Sequence, residues 1–87
     1  MIFVIIMGII LKISTTEWCI CIILFGLVIS LELVNTAIET VVDIAMPEIN
    51  EKAKKAKDIS ASAVLVSAIA SAIIGFIIFL PKILSLI

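Results

Sequence analysis

Residues 59–80 contain no charged side chain and only one glycine. At ~1.5 Å rise per residue a helix of that length crosses a ~30 Å hydrocarbon core, so this stretch predicts a membrane span. The rest of the chain agrees. With 64% apolar residues and a mean hydropathy of +1.47 over 87 residues, the chain cannot bury its apolar surface in a water-soluble core of its own size. The expected class is therefore an all-α, integral membrane helical bundle with two complete spans, a shortened first span and a cytoplasmic hairpin.

Three apolar stretches set the layout. Residues 1–11 reach only about half of the hydrocarbon thickness, so the first span looks truncated. Lys12, Ile13 and Ser14 interrupt it, and Ser14-Thr15-Thr16-Glu17 then has the S-x-x-E spacing of a capping box. A second helix begins there, with Trp18 suited to a membrane interface. No strong breaker follows before Pro47, so this helix is expected to run for ~30 residues. Met46-Pro47-Glu48-Ile49-Asn50 reads as a turn. Residues 51–58 read as a helix in water supported by the pairs Glu48/Lys52 and Glu51/Lys55, and Pro81 is expected to close the third helix.

Charge gives an orientation. Four of the six lysines lie in residues 52–57, against Lys12 and Lys82 at the other side, which by the positive-inside rule predicts a cytoplasmic hairpin. Net charge −1 with no basic face argues against a nucleic-acid partner. Cys19 and Cys21 are two apart and point to different sides of a helix, so they read as small apolar residues and not as a disulfide or redox pair. Without histidine or a cysteine cluster, zinc and haem are disfavoured, and a carboxylate-bound metal would favour magnesium. Ala63, Ser67, Ser71 and Gly75 recur every four residues, a small-residue ridge that predicts helix packing or self-association.

The second helix carries a polar stripe. Glu32, Asn35, Thr36, Glu39 and Asp43 fall within about a third of its circumference at ~100° per residue. A carboxylate near the membrane is costly, roughly 2.5 kcal/mol or more at mid-bilayer, so such a row implies a function. Glu39 lies eight residues before Pro47 and Asp58 eight residues after Asn50, which predicts that Lys57 and Asp58 reach the depth of Glu39 on the returning helix. Glu39 can begin a magnesium site, Lys57 can attract phosphates, Glu32 can accept a proton from an alcohol, and Asn35 can orient either glutamate. Against this stand blander readings. Asp43, Lys52, Lys54 and Lys55 fit a solvated face, and Lys57 with Asp58 fits a snorkelling pair. No glycine-rich phosphate loop exists, since Gly8, Gly26 and Gly75 lie inside apolar runs. The residues alone leave phosphoryl transfer, a polar contact within an oligomer, and an ion or proton path open.

The string Glu32-Leu33-Val34-Asn35-Thr36-Ala37-Ile38-Glu39-Thr40-Val41-Val42-Asp43, followed by Ala53-Lys54-Lys55-Ala56-Lys57-Asp58 and Ala61-Ser62-Ala63-Val64-Leu65, closely resembles the prokaryotic diacylglycerol kinase and undecaprenol kinase family. That resemblance implies a homotrimeric, multi-pass enzyme of the bacterial plasma membrane that uses MgATP and a lipid alcohol. It also implies roles: Glu32 as catalytic base, Asn35 as its partner in holding the glutamates, Glu39 as magnesium ligand, and Asp43, Lys57 and Asp58 at the nucleotide. Thr15-Thr16-Glu17-Trp18 and the lysine-bearing hairpin look more like the undecaprenol branch. Residues 1–87 are expected to form one lipid kinase domain that lacks the family's N-terminal segment. A non-enzymatic oligomeric membrane protein or an inactive remnant is the rival expectation.

Overall fold

The computed structural model describes residues 2–87 and consists of three helices, α1 (Ile2–Leu11), α2 (Thr15–Ala45) and α3 (Glu51–Leu86), with no strand among the described residues. It forms a rod of 55 × 18 × 17 Å. α2 and α3 are each long and apolar enough to cross a membrane. They run antiparallel and pack along most of their length, while α1 lies chiefly against α3.

Each helix boundary has a local cause. At the start of α2 the Ser14 amide donates to Glu17 Oε1 at 2.9 Å, and the Glu17 amide donates to Ser14 Oγ at 3.1 Å, which completes the expected capping box. At the hairpin, Met46 N–H closes α2 on the Val42 carbonyl at 2.8 Å. Asn50 Oδ1 then accepts from the amides of Lys52 (2.9 Å) and Ala53 (3.2 Å), capping α3. The expected Glu48/Lys52 and Glu51/Lys55 pairs do not form among the described residues. The two ion pairs that do form are Lys57–Asp43 and Lys82–Glu17. The asparagine cap starts the helix without them.

α1 ends in a Schellman arrangement. Ile13 N–H donates to the Gly8 carbonyl at 3.2 Å, with Lys12 between them at φ 54°. This left-handed position favours glycine, because an L side chain there costs roughly 1–2 kcal/mol. Lys12→Gly is accordingly expected to stabilise the helix junction by about 1 kcal/mol after allowing for the extra freedom of the unfolded chain. Denaturation in mixed micelles would read this as a raised midpoint. A lowered midpoint would mean that contacts of the lysine outweigh its backbone strain. Gly8 itself is a close-approach position. A Cβ there would meet the Trp18 ring at 2.7 and 2.9 Å, so α1 packs down on Trp18 only because this residue has no side chain.

Pro81 does not close α3, which continues to Leu86. Proline removes one hydrogen bond and costs ~3 kcal/mol in a helix interior. Tertiary contacts hold the last turns in place: Ile83 packs on the cluster of Ile13, Cys21, Ile78 and Phe79, and Lys82 Nζ reaches Glu17 Oε1 at 3.2 Å. Packing here overrides the local break.

The α2–α3 seam recurs at alternating steps of three and four. On α3 the row Ala53, Lys57, Ser60, Val64, Ser67, Ser71, Ile74 and Ile78 is half-buried or buried, and Gly75, Phe79, Lys82 and Ile83 are covered beside it. That spacing is the 3.5-residue repeat of antiparallel helices at a shallow crossing angle. The small-residue ridge follows a different row. Steps of four turn by ~40° each, so the ridge winds across the seam instead of along it. Ala63 lines an open groove on one flank, Ser67 is buried in the seam, and Gly75 borders a crevice on the other flank. The ridge is therefore not a single straight contact stripe within the chain. Most large apolar side chains remain exposed, as lipid or neighbouring helices would require.

Candidate functional site

The polar stripe lies on the flank of the seam, not on its centre. Asn35 and Glu39 are half-buried against α3, whereas Glu32, Thr36 and Asp43 are exposed beside it. The cause is angular. At ~100° per residue the stripe is centred well to one side of the inward positions Leu24, Val28, Leu31, Asn35, Ile38 and Val42.

Two groups of side chains meet across the hairpin. Asn35 Nδ2 donates to Glu39 Oε1 at 3.4 Å, and Ser60 Oγ donates to Asn35 Oδ1 at 2.5 Å. One turn nearer the hairpin, Lys57 Nζ pairs with Asp43 Oδ1. Asp43, Asn50, Lys54 and Lys57 border an open cleft of about 300 Å³ at the hairpin end. The antiparallel register follows the expected count, but Lys57, expected at the depth of Glu39, pairs with Asp43 instead. Asp58 lies on the exposed side of α3, and its side chain has no partner among the described residues. Asn35 reaches Glu39 and not Glu32.

Glu32 stands apart. Its backbone carbonyl accepts from Thr36 Oγ1 at 3.0 Å, but its carboxylate has no partner among the described residues. On the same face, one and two heptads outward, lie the half-buried Phe25 and Trp18, the latter against Gly8 of α1. Glu32 follows one heptad farther along that face and is exposed. An apolar crevice of about 240 Å³ opens between Val4 of α1, Leu24 and Phe25 of α2, and Gly75 and Phe76 of α3. The face thus grades from hydrocarbon-compatible at Phe25, through a free carboxylate at Glu32, to a charged cleft at Asp43.

Ser60 is the residue that the linear pattern missed. It belongs to no charged or catalytic motif, and only the seam spacing Lys57, Ser60, Val64 marks it as facing α2. Of the two cysteines, Cys19 is exposed and Cys21 buried, so they lie on different sides of α2.

Magnesium fits this donor set in one way only. No three His, Cys, Asp or Glu side chains converge among the described residues, so these form no all-protein cage. Magnesium is commonly held by one or two carboxylates plus substrate phosphates and water, and Glu39, oriented by Asn35 at the seam, suits that partial role. The residues fit a metal that arrives with a polyphosphate.

The model of the family described as prokaryotic diacylglycerol kinase matches residues 1–79. The chain belongs to that family. It is 49% identical over 79 residues to an undecaprenol kinase of Bacillus subtilis (strain 168), a match that covers 91% of this chain and 64% of the relative. It is 52% identical over 61 residues to a diacylglycerol kinase of Synechocystis sp., covering 69% of this chain and 35% of that relative. The chain thus spans less than two thirds of the length of these curated relatives. No solved structure matches it.

Proposed function

We propose that this chain is a lipid kinase of the bacterial plasma membrane, moving the γ-phosphate of ATP onto a lipid alcohol, with undecaprenol favoured over diacylglycerol. The observation that carries the reading is the meeting of motif residues across the hairpin, Asn35 and Glu39 with α3 at Ser60, and Asp43 with Lys57. Family membership supplies the chemistry that such a cluster serves. The lysine-rich hairpin faces the cytoplasm, where ATP is available.

Each residue then has a task. Glu32 accepts the proton of the lipid hydroxyl, because it is a free carboxylate on the face that continues to the apolar crevice, where a hydrocarbon tail would lie. Lys57 offers a positive charge to the phosphates, and its exposed pair with Asp43 keeps the ammonium at the cleft without a large stability stake. Asp58, on the open side of the same turn, contacts the nucleotide from α3. Glu39 holds magnesium, which when bound neutralises charge on the phosphoryl oxygens. Asn35 fixes the Glu39 carboxylate by donating to it. A homotrimer would cover the exposed apolar flanks and enclose the Glu32 face, which a lone hairpin leaves open to lipid.

The preference for undecaprenol rests on the resemblance of Thr15-Thr16-Glu17-Trp18 and the lysine-bearing hairpin to the undecaprenol branch. The test is a competition. Membranes bearing the protein receive radiolabelled ATP, magnesium and equal amounts of the two lipids, and labelled undecaprenyl phosphate should predominate. A tenfold preference for diacylglycerol, about 1.4 kcal/mol in transition-state binding, overturns the substrate choice. No labelled lipid of either kind removes the kinase reading.

A further inference from the structure

We propose that Ser60 is a positioning residue for phosphoryl transfer, acting through Asn35 on Glu39; this rests on the kinase reading above. The hydroxyl contacts Asn35 Oδ1 at 2.5 Å across the helix seam, and Asn35 Nδ2 faces Glu39 Oε1 at 3.4 Å. The three side chains form one directed chain of donors, from hydroxyl to amide to carboxylate.

The direction follows from what each group can do. A carboxylate only accepts, so the Asn35 end facing Glu39 must be the NH₂. The amide oxygen is thereby turned to α3, where it needs a donor in a half-buried position. Ser60 is that donor. Among the described residues its other acceptor is the Lys57 carbonyl of its own helix at 3.0 Å, and one hydroxyl proton can serve the closer contact across the seam. Without the hydroxyl, the amide oxygen loses its fixed partner and the amide can rotate, so Glu39 loses an oriented donor. Ser60 touches neither substrate in this scheme. It sets the rotamer of a residue that sets the carboxylate.

The composition makes this testable by spectroscopy. The chain has two asparagines, Asn35 and Asn50, and no glutamine, so selective ¹⁵N-asparagine labelling gives only two side-chain NH₂ pairs. Asn50 caps α3 at the hairpin and serves as an internal control for folding. In micelles, Ser60→Ala should shift and broaden the Asn35 pair while leaving the Asn50 pair in place, and Ser60→Thr, which keeps a hydroxyl, should restore it. In the kinase assay Ser60→Ala should lower kcat about tenfold with the KM for the lipid alcohol unchanged, and Ser60→Thr should recover most of the loss.

Unmoved Asn35 signals in Ser60→Ala would overturn the contact. Moved signals with an unchanged kcat would overturn the positioning role. If the wild-type chain transfers no phosphate while the Asn35 pair still responds to Ser60→Ala, the kinase reading has failed and the role in transfer falls with it, although the contact itself stands.

Discussion

Glu32→Gln is expected to lower kcat for lipid phosphorylation by ~10²-fold or more while leaving the KM for ATP nearly unchanged. The amide keeps the size and shape of the carboxylate but cannot take a proton from the attacking hydroxyl. Nothing else in the described structure depends on that side chain. Its carboxylate has no hydrogen-bond or ionic partner, so the substitution breaks no contact in α2. It also removes a charge near lipid, which should leave insertion at least as favourable as before. The charged cleft at Asp43 and Lys57 lies about 16 Å farther along α2, too far for the change to disturb nucleotide contacts directly. Steady-state kinetics with ATP and lipid varied in turn would separate the two effects. A variant that loses only ATP affinity would assign Glu32 to binding and leave the base unidentified.

What could be read along the chain was whatever depends on near neighbours in sequence. The capping box of Ser14 and Glu17 is a three-residue relation, and the Asn35–Glu39 contact is one helical turn. The antiparallel register also followed by counting from Pro47, although Lys57, expected at the depth of Glu39, pairs with Asp43 one turn nearer the hairpin. Rotation about the helix axis was not legible. In a soluble bundle the inward face of α3 would stand out by polarity, but here Val64 on the seam and Leu65 beside it are equally apolar. Lipid-facing and core-facing positions therefore look alike, and the facing of Ser60 toward Asn35, or of Asp58 away from the cluster, could not be decided from pattern. The same gap explains Pro81. A local rule ends the helix there, yet the contacts that hold residues 82–86 in line, Lys82 with Glu17 and Ile83 with the Ile13 cluster, join the two ends of the hairpin from more than sixty residues apart.

Glu39→Gln should fail in a different manner from Glu32→Gln. Glu39 is half-buried at the seam and accepts from Asn35 Nδ2, and a glutamine oxygen can accept the same hydrogen bond, so the local geometry should survive. What is lost is one negative charge and one hard oxygen ligand. Loss of a partner one shell farther out typically weakens metal affinity 10- to 100-fold, so loss of the ligand should raise the magnesium concentration for half-maximal activity by ~10-fold or more. Much of kcat should return at saturating magnesium, because phosphate oxygens and water can complete the coordination. Titrating magnesium at fixed ATP and lipid alcohol for the wild-type chain, Glu39→Gln and Glu32→Gln makes the contrast explicit. Glu32→Gln should show an unshifted magnesium midpoint with a low plateau, and Glu39→Gln a shifted midpoint with a recovering one. An unshifted midpoint for Glu39→Gln would mean that the carboxylate on the seam braces the hairpin and that the metal is held elsewhere.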